Sequence, residues 1–161
     1  MNEAPAPDGT PALLVVAIVI LFPIVFCTFW VGVCFLISRF GWHQFAQDFA
    51  ATNKPREGAM FFGRSGRFGL LGFGQYGNCL DATLIPAGIY LSVNVLFRCG
   101  HRPLLIPWSK VERVEERSFL FVNFLHVVVR HGTRKLFLRM PLQSRELIEN
   151  YRREATASET R

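Results

Sequence analysis

Residues 12 to 38 read ALLVVAIVILFPIVFCTFWVGVCFLIS, an unbroken run without one charged side chain. As a helix these 27 residues would reach about 40 Å, against a bilayer hydrocarbon core of about 30 Å. The run therefore predicts a transmembrane helix over 12–38, with surplus length that suits a tilted or bent span. Pro23 removes one backbone donor inside it, a fault that bilayer helices tolerate better than soluble ones. A cleavable signal peptide needs a basic leader and a shorter apolar stretch, whereas Glu3 and Asp8 precede this run and no Lys or Arg does. A buried soluble helix is no better, because the remaining chain has little with which to cover so uniformly apolar a rod.

Outward from this run, the 161 residues allow roughly one domain. With half the residues hydrophobic and 19% charged, global disorder is excluded. All 18 basic residues and ten of the 12 acidic ones follow the apolar run, leaving the C-terminal part with a surplus of eight positive charges. That asymmetry predicts a single-pass protein of the cell (inner or plasma) membrane, N-terminus outside and C-terminal part cytoplasmic. Arg39 and Trp42 are the expected membrane-interface anchors, Arg39 by snorkelling and Trp42 in an aromatic belt. Cys27 and Cys34 fall on about one face of the span. In the cytoplasm Cys79 and Cys99 would stay as thiols, and outside the cell a bridge between them would be plausible. Thr28 and Gly32 form a small-xxx-small pair, a spacing common by chance.

Residues 1–11, with three prolines and two acids, read as a disordered tail. Residues 39–58 read as a juxtamembrane helix and linker. Phe40, Trp42, Phe45, Ala46 and Phe49 form an apolar stripe to about residue 50, which fits either the membrane interface or the following domain, and Thr52 to Gly58 is turn-rich. From 59 to 154 short apolar runs alternate with turn residues, predicting strands near 59–64, 68–74, 79–85, 88–97, 104–114 with a break, 119–130 and 134–140. Pro86-Ala87-Gly88 and His131-Gly132-Thr133 are the clearest hairpin turns. Beyond Pro141, Leu147, Ile148 and Tyr151 mark an amphipathic helix with Ser144 as its N-cap, ending near Glu154, and 155–161 read as a frayed tail.

The stretches Gly88-Ile89-Tyr90-Leu91-Ser92 and Pro103-Leu104-Leu105-Ile106-Pro107-Trp108-Ser109-Lys110-Val111 resemble the strand pattern of GRAM and bacterial PH-like domains. Asn78-Cys79-Leu80 and Gly100-His101-Arg102-Pro103 are also similar to a group of small single-span membrane proteins, over most of residues 39–140. The resemblance implies an α+β fold: one N-terminal transmembrane helix plus a small PH-like antiparallel β-barrel or sandwich capped by a C-terminal helix. It carries over no activity.

Residues 72–77, GFGQYG, match GxGxxG, but a strand and turn follow instead of the crossover helix that a dinucleotide site needs. No Walker A lysine follows a glycine loop. Cys99, His101, His126 and His131 lack zinc-site spacing, so no metal or other cofactor is expected. His126 reads as a hydrogen-bonded strand histidine, and His101 as ordering the turn before Pro103. No serine sits in a nucleophile elbow, and Glu112, Glu115 and Glu116 read as a solvated stretch. Trp108 reads as a structural, buried ring.

One constellation is basic. Arg64 and Arg67 fall between the first and second expected strands, and Arg130, Arg134 and Lys135 between the sixth and seventh. The PH-like resemblance implies that these loops share one rim, where an anionic phospholipid or partner would dock; solvated hairpin tips are the alternative. The run Phe119 to Val129, apolar on both alternating faces, suggests a protein partner or a second copy. The expected function is thus a membrane-anchored, non-enzymatic binding or scaffold module. An enzyme or cofactor-binding protein at the membrane surface is the alternative, and nucleic-acid binding is not expected from charge this diffuse.

Overall fold

The computed structural model describes residues 10–69 and 74–159. The chain divides into two compact units, Met1–Val33 and Cys34–Arg161. Of the expected N-terminal tail, residues 1–9 lie outside the described residues, while Thr10 and Pro11 already belong to helix α1, Thr10–Arg39.

In the first unit α1 presents its Leu, Val, Ile and Phe side chains outward all round, with no acidic or basic residue before Arg39. Phe22, Phe26 and Trp30 stack successively with ring centroids 6.1 Å apart. The Thr28 hydroxyl donates to the Ile24 carbonyl at 2.8 Å, so this polar group is satisfied within the helix. The helix is long and apolar enough to cross a membrane.

The second unit opens with the last residues of α1, then a turn at Gly41 and helix α2, Trp42–Phe49. Gly41 has φ 130°, and a β-carbon there would lie 2.7 Å from the β-carbon of Phe68, so a side chain is excluded on both counts. Among the described residues seven antiparallel strands follow: β1 Ala59–Phe68, β2 Gly74–Ile85, β3 Gly88–Val93, β4 Leu104–Pro107, β5 Val111–Phe119, β6 Val122–His131 and β7 Arg134–Pro141. They form one curled sheet in the order β4-β3-β2-β1-β7-β6-β5. Helix α3, Arg145–Glu159, completes the α+β fold.

The curl encloses a core built by period-two alternation. Ile89, Leu91 and Val93 on β3, Leu125, Val127 and Val129 on β6, and Leu136, Leu138 and Met140 on β7 all point into it. Trp42, Phe45 and Phe49 of α2 and Ile148 of α3 fill the remaining space. Helix α3 lies along the β5 edge: Arg145 pairs with Glu116 at 2.9 Å, Arg152 donates to the Val111 carbonyl at 3.2 Å, and Tyr151 packs on Trp108.

Several expectations change. β1 runs on to Phe68, past the expected end at residue 64, and the stretch expected as strand 68–74 holds the last residue of β1, a bend at Gly69 and the first residue of β2, with residues 70–73 outside the described residues. The interrupted strand 104–114 is two strands, separated by a 3₁₀ turn at Trp108–Lys110. Ser144 does not cap α3; its buried hydroxyl donates to the Pro141 carbonyl at 2.7 Å. The helix continues to Glu159, past the expected fraying at residue 155. Both predicted hairpin turns are present, at residues 86–87 and 132–133.

Candidate functional site

On the sheet face opposite the core, pairing brings a polar and aromatic row together. Ser65 lies opposite Arg139 and Arg67 opposite Phe137 between β1 and β7; Arg139 then faces His126 on β6, which faces Glu115 on β5. One step along, Phe124 faces Arg117. All of these side chains but Glu115 line an open groove of about 390 Å³.

Its cations are unequally occupied. The Arg67 guanidinium sits 4.9 Å over the Phe137 ring and that of Arg139 5.0 Å over Phe124. Neither has an acidic partner among the described residues. Stacking on a ring face orients a planar guanidinium while its edge donors stay available to an anion. Arg117 donates to Glu115 at 2.9 Å, and Arg113 lies 3.0 Å from the same carboxylate. The hydrogen bond from Arg117 holds the Glu115 carboxyl below the usual carboxylate range.

His126 departs from its expected role. Its ring stacks on Phe137 at 5.4 Å and 9°, but Nδ1 is buried without a hydrogen-bond partner. Burial, then the neighbouring Arg117, lowers its pKa, so the imidazole is neutral near pH 7.

The five basic residues expected on one rim are divided. Arg64 and Arg67 lie within β1 instead of a loop, because that strand runs four residues further than its apolar pattern suggested. Arg64 bonds its own neighbourhood, donating to the Phe62 carbonyl at 2.8 Å where the β1–β2 register shifts. Arg134 is engaged by α2, donating to the Gln44 carbonyl at 2.8 Å and lying 3.4 Å from Asp48, which also meets His131 at 3.2 Å. Arg130 faces Lys135 across β6 and β7 and lies 3.9 Å from Glu112. Only Arg67 of the five lines the groove. Arg117 and Arg139 were not among the expected site residues, and His126 was expected as a strand histidine and not as part of a groove. Their signal was the alternation Arg113-x-Glu115-x-Arg117, Phe124-x-His126 and Phe137-x-Arg139, whose convergence depends on sheet order.

The two expected interface anchors also part company. Arg39 remains exposed, its guanidinium 5.9 Å from the Phe35 ring centroid. Trp42 is fully buried, in ring contact with Phe68, Tyr76 and His101, and its indole N–H donates to the Arg102 carbonyl at 2.7 Å. The apolar stripe of α2 therefore packs on the domain, and Trp42 is not available to an interfacial belt.

His101 does order its turn. Its Nδ1–H donates to the Cys99 carbonyl at 2.9 Å, which leaves Nε2 to accept from the Tyr76 hydroxyl at 2.9 Å. Burial lowers the histidine's pKa and raises that of the tyrosine, so the pair is neutral. With His101 and His126 both depressed in the fold, the unfolded chain binds protons first as pH falls below about 6.5, and stability is lost in that direction. The unfolding midpoint of the full chain in mild detergent should be lower at pH 5.5 than at pH 7.5, and His101→Gln should shrink that difference. An unchanged difference in the variant would refute the assignment to His101.

Among the described residues no three His, Cys, Asp or Glu side chains gather as a metal-holding group. All four cysteines are free. Trp108 is buried and donates to the Ile85 carbonyl at 2.9 Å. Gly72 and Phe73 of the GxGxxG match lie outside the described residues, and its remaining four residues begin β2. Fold and site together define an α+β chain in which a long apolar helix precedes a β domain bearing an open, arginine-lined groove. No family model matches the chain, and no curated protein does.

Proposed function

We propose that this protein is a membrane-anchored, non-enzymatic binding module, in which α1 spans the bilayer and presents a PH-like domain on the cytoplasmic side to an anionic lipid or a protein partner. The single observation carrying the reading is α1, whose bulky apolar side chains are exposed all round. Soluble proteins rarely leave contiguous apolar surface of that extent in water, whereas a bilayer covers it fully. The seven-stranded antiparallel sheet and C-terminal helix support the PH-like part, and the basic surplus beyond the span supports the cytoplasmic orientation and an anionic partner. Covalent attachment keeps the domain at high effective concentration near membrane ligands, so weak contacts suffice. The full chain should stay in the membrane pellet after an alkaline carbonate wash, and its C-terminal portion should resist protease added to intact cells. Release into the supernatant would overturn the anchor, and digestion from outside would overturn the orientation.

A further inference from the structure

The apolar excess noted over Phe119–Val129 resolves into two parts. Val127, Val128 and Val129 are covered completely within the chain, so they leave no surface for a partner. Phe119, Leu120, Phe121 and Val122, by contrast, form the β5–β6 hairpin tip and are 62 to 103% exposed.

The tip carries a second cost. Phe119 pairs with Val122, so Leu120 and Phe121 are a two-residue turn, with φ of 45° and 70°. Such turns favour Asn-Gly, since a bulky side chain in left-handed backbone costs roughly 1–3 kcal/mol. Two large apolar residues thus stand where they destabilise the free fold and contact water. Burial in an apolar medium would offset both costs.

Ser118 and Phe119 line the groove beside Arg117, so the greasy tip and the arginines are one continuous surface. From Arg117 to Leu120 is three residues, about 10 Å along a strand, the depth at which an apolar face enters a bilayer while its cations remain at the headgroups. We infer that this surface docks on anionic phospholipid: the β5–β6 tip enters the acyl layer and Arg67, Arg117 and Arg139 take a lipid phosphate in the groove. The inference deepens the anionic-lipid reading above and moves its site from the Arg134–Lys135 rim to the outer sheet face. Charge complementarity selects lipid as the occupant, because Glu115 is the sole acidic residue in the row and Arg67 and Arg139 are unpaired with any acid among the described residues. The partnerless Nδ1 of His126 adds a polar atom without a use inside the fold.

The test uses the full chain in nanodiscs of phosphatidylcholine, alone or with about 30 mol% phosphatidylserine, and follows amide exchange across residues 117–124. Exchange should slow about tenfold in the anionic discs. Arg67→Gln with Arg139→Gln should remove that protection. So should Leu120→Asn with Phe121→Gly, a pair that relieves the turn and should raise the unfolding midpoint, so loss of protection cannot be ascribed to misfolding. Equal exchange in neutral and anionic discs would overturn the inference. So would full protection by sn-glycerol 3-phosphate in neutral discs, which would mark a soluble phosphate as the ligand. Protection that follows protein concentration would point instead to a second copy, and loss caused only by Arg98→Gln with Arg102→Gln would move the site to the separate basic hollow beside Arg39; either overturns it. The carbonate wash scores the anchor separately: a chain that stays in the pellet yet shows no lipid-dependent protection refutes the groove alone.

Discussion

Replacing Trp42 by alanine should cost the β domain about 4 kcal/mol, the usual range for deleting a large aromatic from a core. The indole is wholly enclosed, its ring centroid 5.0 Å from Phe68, 5.5 Å from Tyr76 and 5.3 Å from His101, and these three also contact one another or α2. Removing it opens a void lined by rings that cannot close without moving α2, and leaves the Arg102 carbonyl without its donor. For a domain of this size the unfolding midpoint should fall by roughly 10 °C or more. Trp42→Phe keeps most of the volume and loses only the N–H, so it should cost about 1–2 kcal/mol. Thermal unfolding of the full chain in mild detergent checks both. Near-identical midpoints for wild type and Trp42→Ala would mean that this ring lies outside the core, as an interfacial anchor would.

Gly88→Ala should be nearly as damaging, by about 3 kcal/mol. Gly88 ends the Pro86-Ala87 turn with φ 154° and pairs with Pro107. A β-carbon would run into the Ile106 carbonyl, which belongs to backbone and cannot rotate aside. The chain must then separate β3 from β4, and with them the enclosed Ile89, Leu104 and Ile106. Alanine at Gly132, the other hairpin glycine, meets no atom within 4 Å and strains only its φ of 59°, so it should cost roughly 1 kcal/mol. Equal losses at the two sites would show that backbone conformation, and not the close approach of β4, decides the outcome at Gly88.

Both glycines mark turns by residue type alone, yet only the strand lying across from Gly88 makes its lack of a side chain indispensable. Turn residues, the apolar stripe of α2 and the alternation of Gly88–Val93 are local features, set by the periodicity of adjacent residues. The expected number of strands matched the observed number for a partly wrong reason. The expected strand 68–74 overlaps the end of β1 and the start of β2, with residues 70–73 outside the described residues, and the expected strand 104–114 is two strands divided at Trp108. Apolar content marks Phe68 and Gly74 alike, but only the pairing of Phe68 with Gly74 and Leu136 shows that β1 ends at the first and β2 begins at the second.

By itself the amino-acid order determined the long uncharged helix, the basic surplus behind it and the α+β succession of strands and C-terminal helix. Each rests on composition or spacing over neighbouring residues, which needs no knowledge of what lies across space. Tertiary structure alone decided which way Trp42 faces and which arginines share a surface. Pairing of β1 with β7 joins segments some 70 residues apart and sets Arg67 beside Phe137 and Arg139, with Arg117 across β6. Such long-range pairing is chosen by core packing and by which edge each strand finds, so neither the groove nor the strained apolar tip at its end is visible in any local pattern.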